Sequence, residues 1–206
     1  MTGQEMVTQI QTYLVDPDGD VWDSTLVLSF VNDAVGTLAM LRPDATAKTE
    51  DVTIVADIAR QTMPSDAARL LSITRNTTSG KPVRKITREV LAELGATWTP
   101  QSVSDIEHYM YDDENPLVFY VHPVLDSSGS VEMVYSAVPD TVTLVSGLGI
   151  SPVYNGPIFD YVLHRCFSME TERIDRQKSA NHLNAFYNAL GVKIQNEARL
   201  KLIQEV

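Results

Sequence analysis

The stretch MYDDENPLVFYVHP, Met110 to Pro123, has the pattern of two short β-strands joined by a polar turn. The Asn-Pro pair at positions 115–116 is a strong turn signal, and Asp112, Asp113 and Glu114 come directly before it. Aromatic pairs across a hairpin account for the tyrosines and the phenylalanine. A paired-carboxylate active site needs two acids that face each other across a cleft, which three consecutive acids at a turn do not provide. We therefore interpret the stretch as an antiparallel hairpin and not as an active site.

Segments rich in β-branched and aromatic residues surround this hairpin from residue 49 to residue 149. RLLSITRN and KPVRKITR lie on either side of the turn TTSG and are predicted to be strands. SVEMVYSAVP, which follows the turn DSSG, is predicted to be another strand. EVLAELG is predicted to form one or two helical turns. This middle part of the chain is therefore predicted to be a β-rich insert.

Both ends of the chain have the period of amphipathic helices. A short helix is predicted at about residues 3–14, and a longer apolar one starts after Asp23 or Ser24 and stops before Pro43. Helical periodicity returns after residue 156, again with broad apolar faces. Apolar faces of helices must be buried, and the helices at the two ends of the chain can bury each other's apolar faces.

The predicted fold class is therefore α+β. We expect a discontinuous helical bundle formed by residues 1–48 and 150–206, with an antiparallel β-rich domain inserted at residues 49–149.

The composition of the 206-residue chain is that of an ordinary globular protein, with 44% hydrophobic and 21% charged residues. No apolar run approaches the ~20 residues that span a bilayer, and the first residues lack the pattern of a signal peptide. The one cysteine, Cys166, excludes an intrachain disulfide and a multi-cysteine metal site. These features predict a cytosolic protein without a membrane partner.

Acidic and basic residues are unevenly distributed along the chain, whose formal net charge is −11. Residues 61–100 carry three acids and six bases, whereas residues 101–150 carry eight acids and no Lys or Arg. The negative total argues against an ordinary nucleic-acid binder. The basic stretch from Arg69 to Arg88, which holds all six of these bases, also lacks aromatic side chains that could stack on bases.

Two interpretations of these charge blocks are open. They are complementary surfaces that meet within a chain or across a subunit boundary, or they are unevenly charged surface exposed to solvent. Under the first interpretation, the candidate subunit-interface residues are Arg84, Arg88, Asp112, Asp113 and Glu114.

The sequence contains no coherent set of catalytic or cofactor-binding residues. DPDGD at positions 16–20 begins like a calcium loop, but Val21 and Val27 replace the Gly and Glu that an EF-hand needs, so a capping turn is expected. The four histidines have no second ligand at a spacing typical of zinc. Nucleophile-elbow, Walker-type and dinucleotide-binding motifs are missing. We therefore expect no catalytic residue, no cofactor and no metal.

Four segments follow one another in the middle of the chain: MPSDAARLLSITRN, Trp98, YMYDDENPLVFYVHP and VEMVYSAVP. In this order they resemble the β region of the head-to-tail adaptor (connector) proteins of tailed bacteriophages. FVNDAVGTLAMLRPD is similar to the N-terminal helix of that family, and FDYVLHRCFSMETERIDRQKSANHLNAFYNALG is similar to its C-terminal helix pair. The resemblance covers roughly residues 22–190. The family has a Gly near the position of Asp57, where this chain has none.

The resemblance implies a structural virion protein and not an enzyme. It implies a ring of twelve copies beneath the portal, which joins the capsid to the tail and lets genomic DNA pass without sequence-specific binding. The implied partners are the portal protein, a tail or nozzle protein and other copies of the chain. The implied location is the capsid–tail junction of the virion, after assembly in the host cytoplasm. The alternatives are a tail terminator or other virion ring protein, or a soluble ligand-binding domain or enzyme with an unrecognised site.

The last fifteen residues, VKIQNEARLKLIQEV at positions 192–206, stay apolar to the end, whereas chain ends are usually polar. The segment either packs on its own helices or becomes ordered against a partner by burying its apolar side chains. Under the second interpretation it reaches toward the portal. The candidate portal-binding residues are Ile194, Arg199, Leu200, Leu202, Ile203 and Val206.

Overall fold

The computed structural model describes residues 1–93 and 97–191. The chain divides into two compact units. One holds Met1–Ala45 and the chain from Pro139 onward, and the other holds Thr46–Val138. Helices and antiparallel sheets are both present, which confirms the predicted α+β class.

The secondary structure begins and ends with helices. The first residues form α1 (Gly3–Tyr13), α2 (Ser24–Leu41) and a 3-10 helix, Pro43–Thr46. The middle holds β1 (Ala47–Ile54), β2 (Arg60–Thr62), β3 (Ala67–Asn76), β4 (Arg84–Lys85), α3 (Arg88–Glu93), β5 (Pro100–Gln101), β6 (His108–Tyr111), β7 (Val118–His122), β8 (Val124–Leu125) and β9 (Gly129–Ala137). A 3-10 helix, Pro152–Tyr154, then precedes α4 (Asn155–Ser168) and α5 (Arg176–Ala189).

Within the first unit, α2 packs on α1 and on α4, and α4 packs on α5. Six residues of α2 are buried, from Val27 to Leu38. In the described chain α2 is the one helix with the length and apolar composition of a membrane span, and six of its eighteen residues are buried within this unit. The largest fully buried side chains of this core are Met6, Ile10, Trp22, Leu38, Ile158, Leu163 and Phe186.

Side chains cap the first two helices where the sequence favours caps. Thr2 and Glu5 form a capping box at the start of α1. Asp23, one of the two residues expected to start α2, accepts hydrogen bonds from the backbone N–H groups of its first turn. Asp16 accepts the N–H of Trp22 at 2.8 Å and that of Val21 at 3.1 Å. This carboxylate therefore holds the 16–20 turn together, as expected for a capping turn.

The second unit contains a three-stranded sheet in the order β1-β9-β3, a four-stranded sheet in the order β2-β7-β6-β4 and a two-stranded pair, β5-β8. β6 and β7 are antiparallel, with Tyr111 opposite Phe119 and His108 opposite His122, so the predicted hairpin is confirmed. The core of the second unit contains Ile54, Ile106, Phe119, Val131, Met133 and Tyr135.

One predicted strand differs from the observed one. KPVRKITR does not form a hairpin ladder with β3; it provides only β4, which runs parallel to β6. Its contact with β3 is limited to an isolated bridge between Arg75 and Pro82 and a few backbone hydrogen bonds. Pro82 has no N–H to donate, so a regular ladder cannot continue there.

Among the residues described, two other than glycine have left-handed backbone conformations: Val15 with φ 55° and Asp57 with φ 62°. At Asp57 the adaptor family has a nearby Gly, and the observed φ explains why glycine suits this turn. Aspartate tolerates the conformation because its short polar side chain costs little there. The turn is therefore made without the glycine.

Val15 lies in a Schellman motif at the end of α1. The Asp16 N–H donates to the Gln11 carbonyl at 2.9 Å, and the Val15 N–H donates to the Thr12 carbonyl at 3.2 Å. A β-branched residue is strained in this conformation, and Val15 is 79% exposed, so burial does not compensate.

We expect Val15→Gly to raise the free energy of unfolding by about 1 kcal/mol, because glycine adopts positive φ without a Cβ clash. Urea denaturation followed by circular dichroism measures the change. Asp57→Gly is the matched control and should give a smaller gain. A lower urea midpoint for Val15→Gly would contradict the strain.

His108 and His122 face each other across β6 and β7, with ring centroids 6.5 Å apart. Both ring nitrogens of His122 and Nδ1 of His108 are buried without a hydrogen-bond partner among the described residues. Burial lowers the pKa of His122, the neighbouring His108 lowers it further, and Glu107 opposes them. The folded state therefore favours the neutral imidazole.

We expect the contribution of neutral His122 to the free energy of unfolding to be fully present above about pH 6.5, the ordinary pKa of histidine. This contribution should be lost as the pH is lowered below that value. The unfolded chain binds more protons than the folded chain in this range, so acid favours unfolding. Urea unfolding at pH 7.5 and pH 5.5 measures the difference. His122→Phe should reduce it, and an unchanged difference would show that His122 is not its source.

Candidate protein–protein interface

Three of the six cations in the basic stretch are already paired with acids of the acidic stretch. Each pair lies within the chain. Such exposed pairs add little to stability, but they neutralise charges that an interface could otherwise use. Hydrogen bonds from the cations lower the pKa values of Asp105 and Glu132. The pairs are Arg69–Asp113 at 3.0 Å, Arg75–Glu132 at 2.8 Å and Lys81–Asp105 at 2.8 Å.

The other three cations, Arg84, Lys85 and Arg88, have no carboxylate within 4.0 Å in the described part of the chain. Lys85 lies 5.6 Å from the ring centre of Tyr111, and Arg88 lies 5.8 Å from that of Tyr120. The basic stretch has no aromatic residue of its own. Strands β6 and β7 bring Tyr111 and Tyr120 beside it instead.

Arg88, Tyr120 and Trp98 line a cavity of about 500 Å³, which we call the Trp98 groove. Trp98 is 45% exposed, and its ring lies edge-on to those of Tyr120 and His122, at 6.2 and 6.4 Å. Exposed Trp, Tyr and Arg side chains are the usual anchors of protein–protein interfaces. The remaining residues of the groove are Asp57, Ile58, Ala59 and Arg60.

A second cavity, of about 720 Å³, shares Arg88 and Tyr120 with the Trp98 groove. It extends toward the hairpin and is lined there by Asp112 and Asp113. Arg60, at the opposite end, also has no carboxylate within salt-bridge distance among the residues described. This surface therefore has a basic, aromatic end and an acidic end.

The acidic residues Asp112, Asp113 and Glu114 lie exposed at the tip of the β6–β7 hairpin. Oδ1 of Asp112 accepts the backbone N–H of Glu114 at 3.0 Å, so this carboxylate shapes the turn. Asp113 pairs with Arg69, while Asp112 and Glu114 have no cation within 4.0 Å in the described chain. Residues 1–93 and 97–191 contain no group of three or more metal-ligating side chains that could hold an ion.

Two polar pairs that involve histidines join α4 and α5. The hydroxyl of Ser179 lies 2.9 Å from Nδ1 of His164, but Ser179 is buried and its hydroxyl also donates to the backbone carbonyl of His164. Nδ1 of His182 lies 2.9 Å from Asp160. Burial raises the pKa of Cys166 to about 12, which leaves the thiol protonated and unreactive at neutral pH.

A tyrosine in the three-stranded sheet joins two acids. The buried Tyr135 donates its hydroxyl to Glu50 and to Asp66, with both distances 3.0 Å, and Lys48 pairs with Asp66 at 2.6 Å. Burial raises the pKa of Tyr135, and these two acids raise it further. This network fastens β1 to β9.

The predicted portal-binding residues lie outside the described residues. These are Ile194, Arg199, Leu200, Leu202, Ile203 and Val206. The described chain approaches them through α5, and the carbonyl of Leu190 accepts a hydrogen bond from Arg42 at 3.1 Å.

The comparisons with known proteins agree with the expected family. The family model described as SU10 adaptor protein matches residues 1–202. The comparison with curated proteins gives no match. Since the family model covers nearly the whole chain, the protein belongs to the SU10 adaptor protein family, in agreement with its resemblance to the head-to-tail adaptors of tailed bacteriophages.

Proposed function

We propose that the protein forms a ring, of twelve copies, beneath the portal at the capsid–tail junction of the virion. The ring joins the portal to a tail or nozzle protein and assembles in the host cytoplasm. The match of residues 1–202 to an adaptor family carries this proposal.

The charge of the chain suits a ring through which DNA moves. A channel wall that bound many phosphates would hold the duplex, because each contact with a phosphate adds affinity. A formal charge of −11 per chain works against such binding. The role is structural, and genomic DNA passes without sequence-specific contacts.

The interface between copies uses charge and aromatic contacts. Arg84, Arg88, Asp112, Asp113 and Glu114 are the proposed subunit-interface residues. Because Asp113 is paired with Arg69 inside the chain, the other four have the greater capacity to bind a neighbour. Each exposed pair adds little free energy, and the repetition around a ring multiplies it.

Electron microscopy of the purified protein mixed with its portal tests the proposal. A ring of density on the portal vertex, with the copy number of the portal, is the expected result. Portal particles that stay bare at micromolar protein would refute it.

The helices of both chain ends act as one helical bundle, and residues 49–149 form an inserted β domain. Supporting contacts in the first unit are those of α2 with α4, and the two hydrogen bonds between the Asn32 side chain and the backbone of Val142, at 2.7 and 3.1 Å.

We expect limited proteolysis to cut the exposed turns at residues 77–80 or 126–129 and to leave the two chain ends associated, because their apolar faces are buried together. Native mass spectrometry measures the association, and the same digest in urea is the control that separates the fragments. If native mass spectrometry detects the N-terminal fragment without the C-terminal fragment, the helices of the two chain ends do not form one bundle.

We expect deletion of residues 192–206 to leave the circular dichroism of the folded units unchanged and to abolish binding to the portal. Burying one Leu or Ile contributes about 1.5–3 kcal/mol, so the apolar residues of this segment can provide a strong anchor. Pull-down of portal by the truncated and full chains measures the effect.

Two full-length variants separate apolar from charged contacts of the segment. Ser at positions 200, 202 and 203 should abolish portal binding, whereas Arg199→Ala with Lys201→Ala should weaken it less. A truncated chain that still docks with full affinity, or one that unfolds, would show that the segment is not the anchor.

A further inference from the structure

The basic end of the Trp98 groove carries cations that have no carboxylate partner among the described residues. Arg60 and Arg88 have no carboxylate within 4.0 Å among the described residues. Trp98 and Ile58 are 45% and 49% exposed beside these cations. Two unpaired guanidinium groups beside an exposed aromatic and an exposed aliphatic side chain fit a ligand that carries carboxylates next to an apolar side chain.

The tip of the hairpin has this chemistry. Asp112 and Glu114 are unpaired, and Leu117, three residues after Glu114, is 49% exposed. Arg60 and Arg88 form no ion pair with Asp112 or Glu114 of their own chain. The cations at one end of this surface and the carboxylates at the other end therefore all lack a partner of opposite charge among the described residues.

The tip is also rigid before any partner binds. The Tyr111 hydroxyl donates to the carbonyl of Pro116 and accepts the N–H of Leu70, both at 3.2 Å. The Asn115 N–H donates to the Asp112 carbonyl at 3.1 Å. A preorganised loop loses little conformational entropy on docking, which favours association.

We infer that the hairpin tip of one copy docks in the Trp98 groove of a second copy. Asp112 and Glu114 pair with Arg60 and Arg88 of the neighbour, and Leu117 covers the neighbour's Trp98 and Ile58. This inference rests on the proposed ring and identifies one of its contacts. When the tip of each copy fills the groove of the next copy, the contact is heterologous, and such contacts build a ring if the rotation closes.

A copy of this chain fits the groove better than nucleic acid does. Asp57 lies in the groove, and Glu89, Asp112 and Asp113 line the adjoining cavity. These carboxylates repel the regularly spaced phosphates of a nucleic acid along the surface, whereas a hairpin tip offers one unpaired carboxylate, Asp112 or Glu114, for each of the two cations.

Charge exchange tests the contact on the full chain. Arg60→Glu with Arg88→Glu should weaken self-association at least tenfold, and Asp112→Arg with Glu114→Arg should do the same. A chain that carries all four changes should recover most of the loss, because every interface regains opposite charges. Sedimentation velocity over a concentration series, without and with portal, measures association, and circular dichroism verifies folding.

Trp98 gives an independent signal. The chain has two tryptophans, and Trp22 is fully buried, so Trp98 is the one available to a quencher. Association should shift its emission to the blue and protect it from acrylamide. Arg176→Glu, which reverses the charge of an exposed arginine on α5, is the control and should leave association unchanged.

The outcomes separate this contact from the proposed function. If rings form equally well from both double variants, the contact is wrong and the ring stands. If the wild-type chain stops at a dimer that obeys the charge exchange, the contact stands and the ring role fails. If Trp98 remains accessible to acrylamide in the assembled protein, or if the chain associates neither alone nor on portal, the inference is overturned.

Discussion

The burial of α2 is the constraint on which the helical unit depends. Its apolar surface is too broad for one neighbour, so α1 covers part of it and α4 covers another part. α2 and α4 are separated by more than a hundred residues of sequence, and Arg165 of α4 pairs with Asp33 of α2 at 2.6 Å. Closing a loop of this length costs entropy that grows only slowly with its length, so a large insertion between the two helices is tolerated.

The second unit is built around β9, which pairs with β1 on one side and β3 on the other. Tyr135 of β9 provides both a buried ring and a hydroxyl that bonds to Glu50 and Asp66. The neighbouring sheet presents the hairpin tip and the Trp98 groove. A rigid sheet that carries recognition residues at its turns and edges is a common way to place a binding surface.

The distribution of charge connects this structure to assembly. Three basic residues are neutralised inside the unit, and two of the cations that remain, Lys85 and Arg88, lie beside aromatic rings. In a structural adaptor, association must be specific without being so strong that free copies aggregate. Contacts that combine weak ion pairs with a few aromatic anchors satisfy both needs, because each is weak alone and many act together in an assembly.

The sequence by itself determined the α+β class, the β6–β7 hairpin, a cap at Asp23 or Ser24 and the family, because these depend on periodicity, turn residues and local order along the chain. It did not determine that KPVRKITR pairs with β6, since strand pairing depends on neighbours distant in sequence. Tertiary structure alone decided which cations are paired and which lie on tyrosines. Ion pairs and ring contacts act over a few ångströms, and that distance is set by the packing of strands and not by their order in the chain.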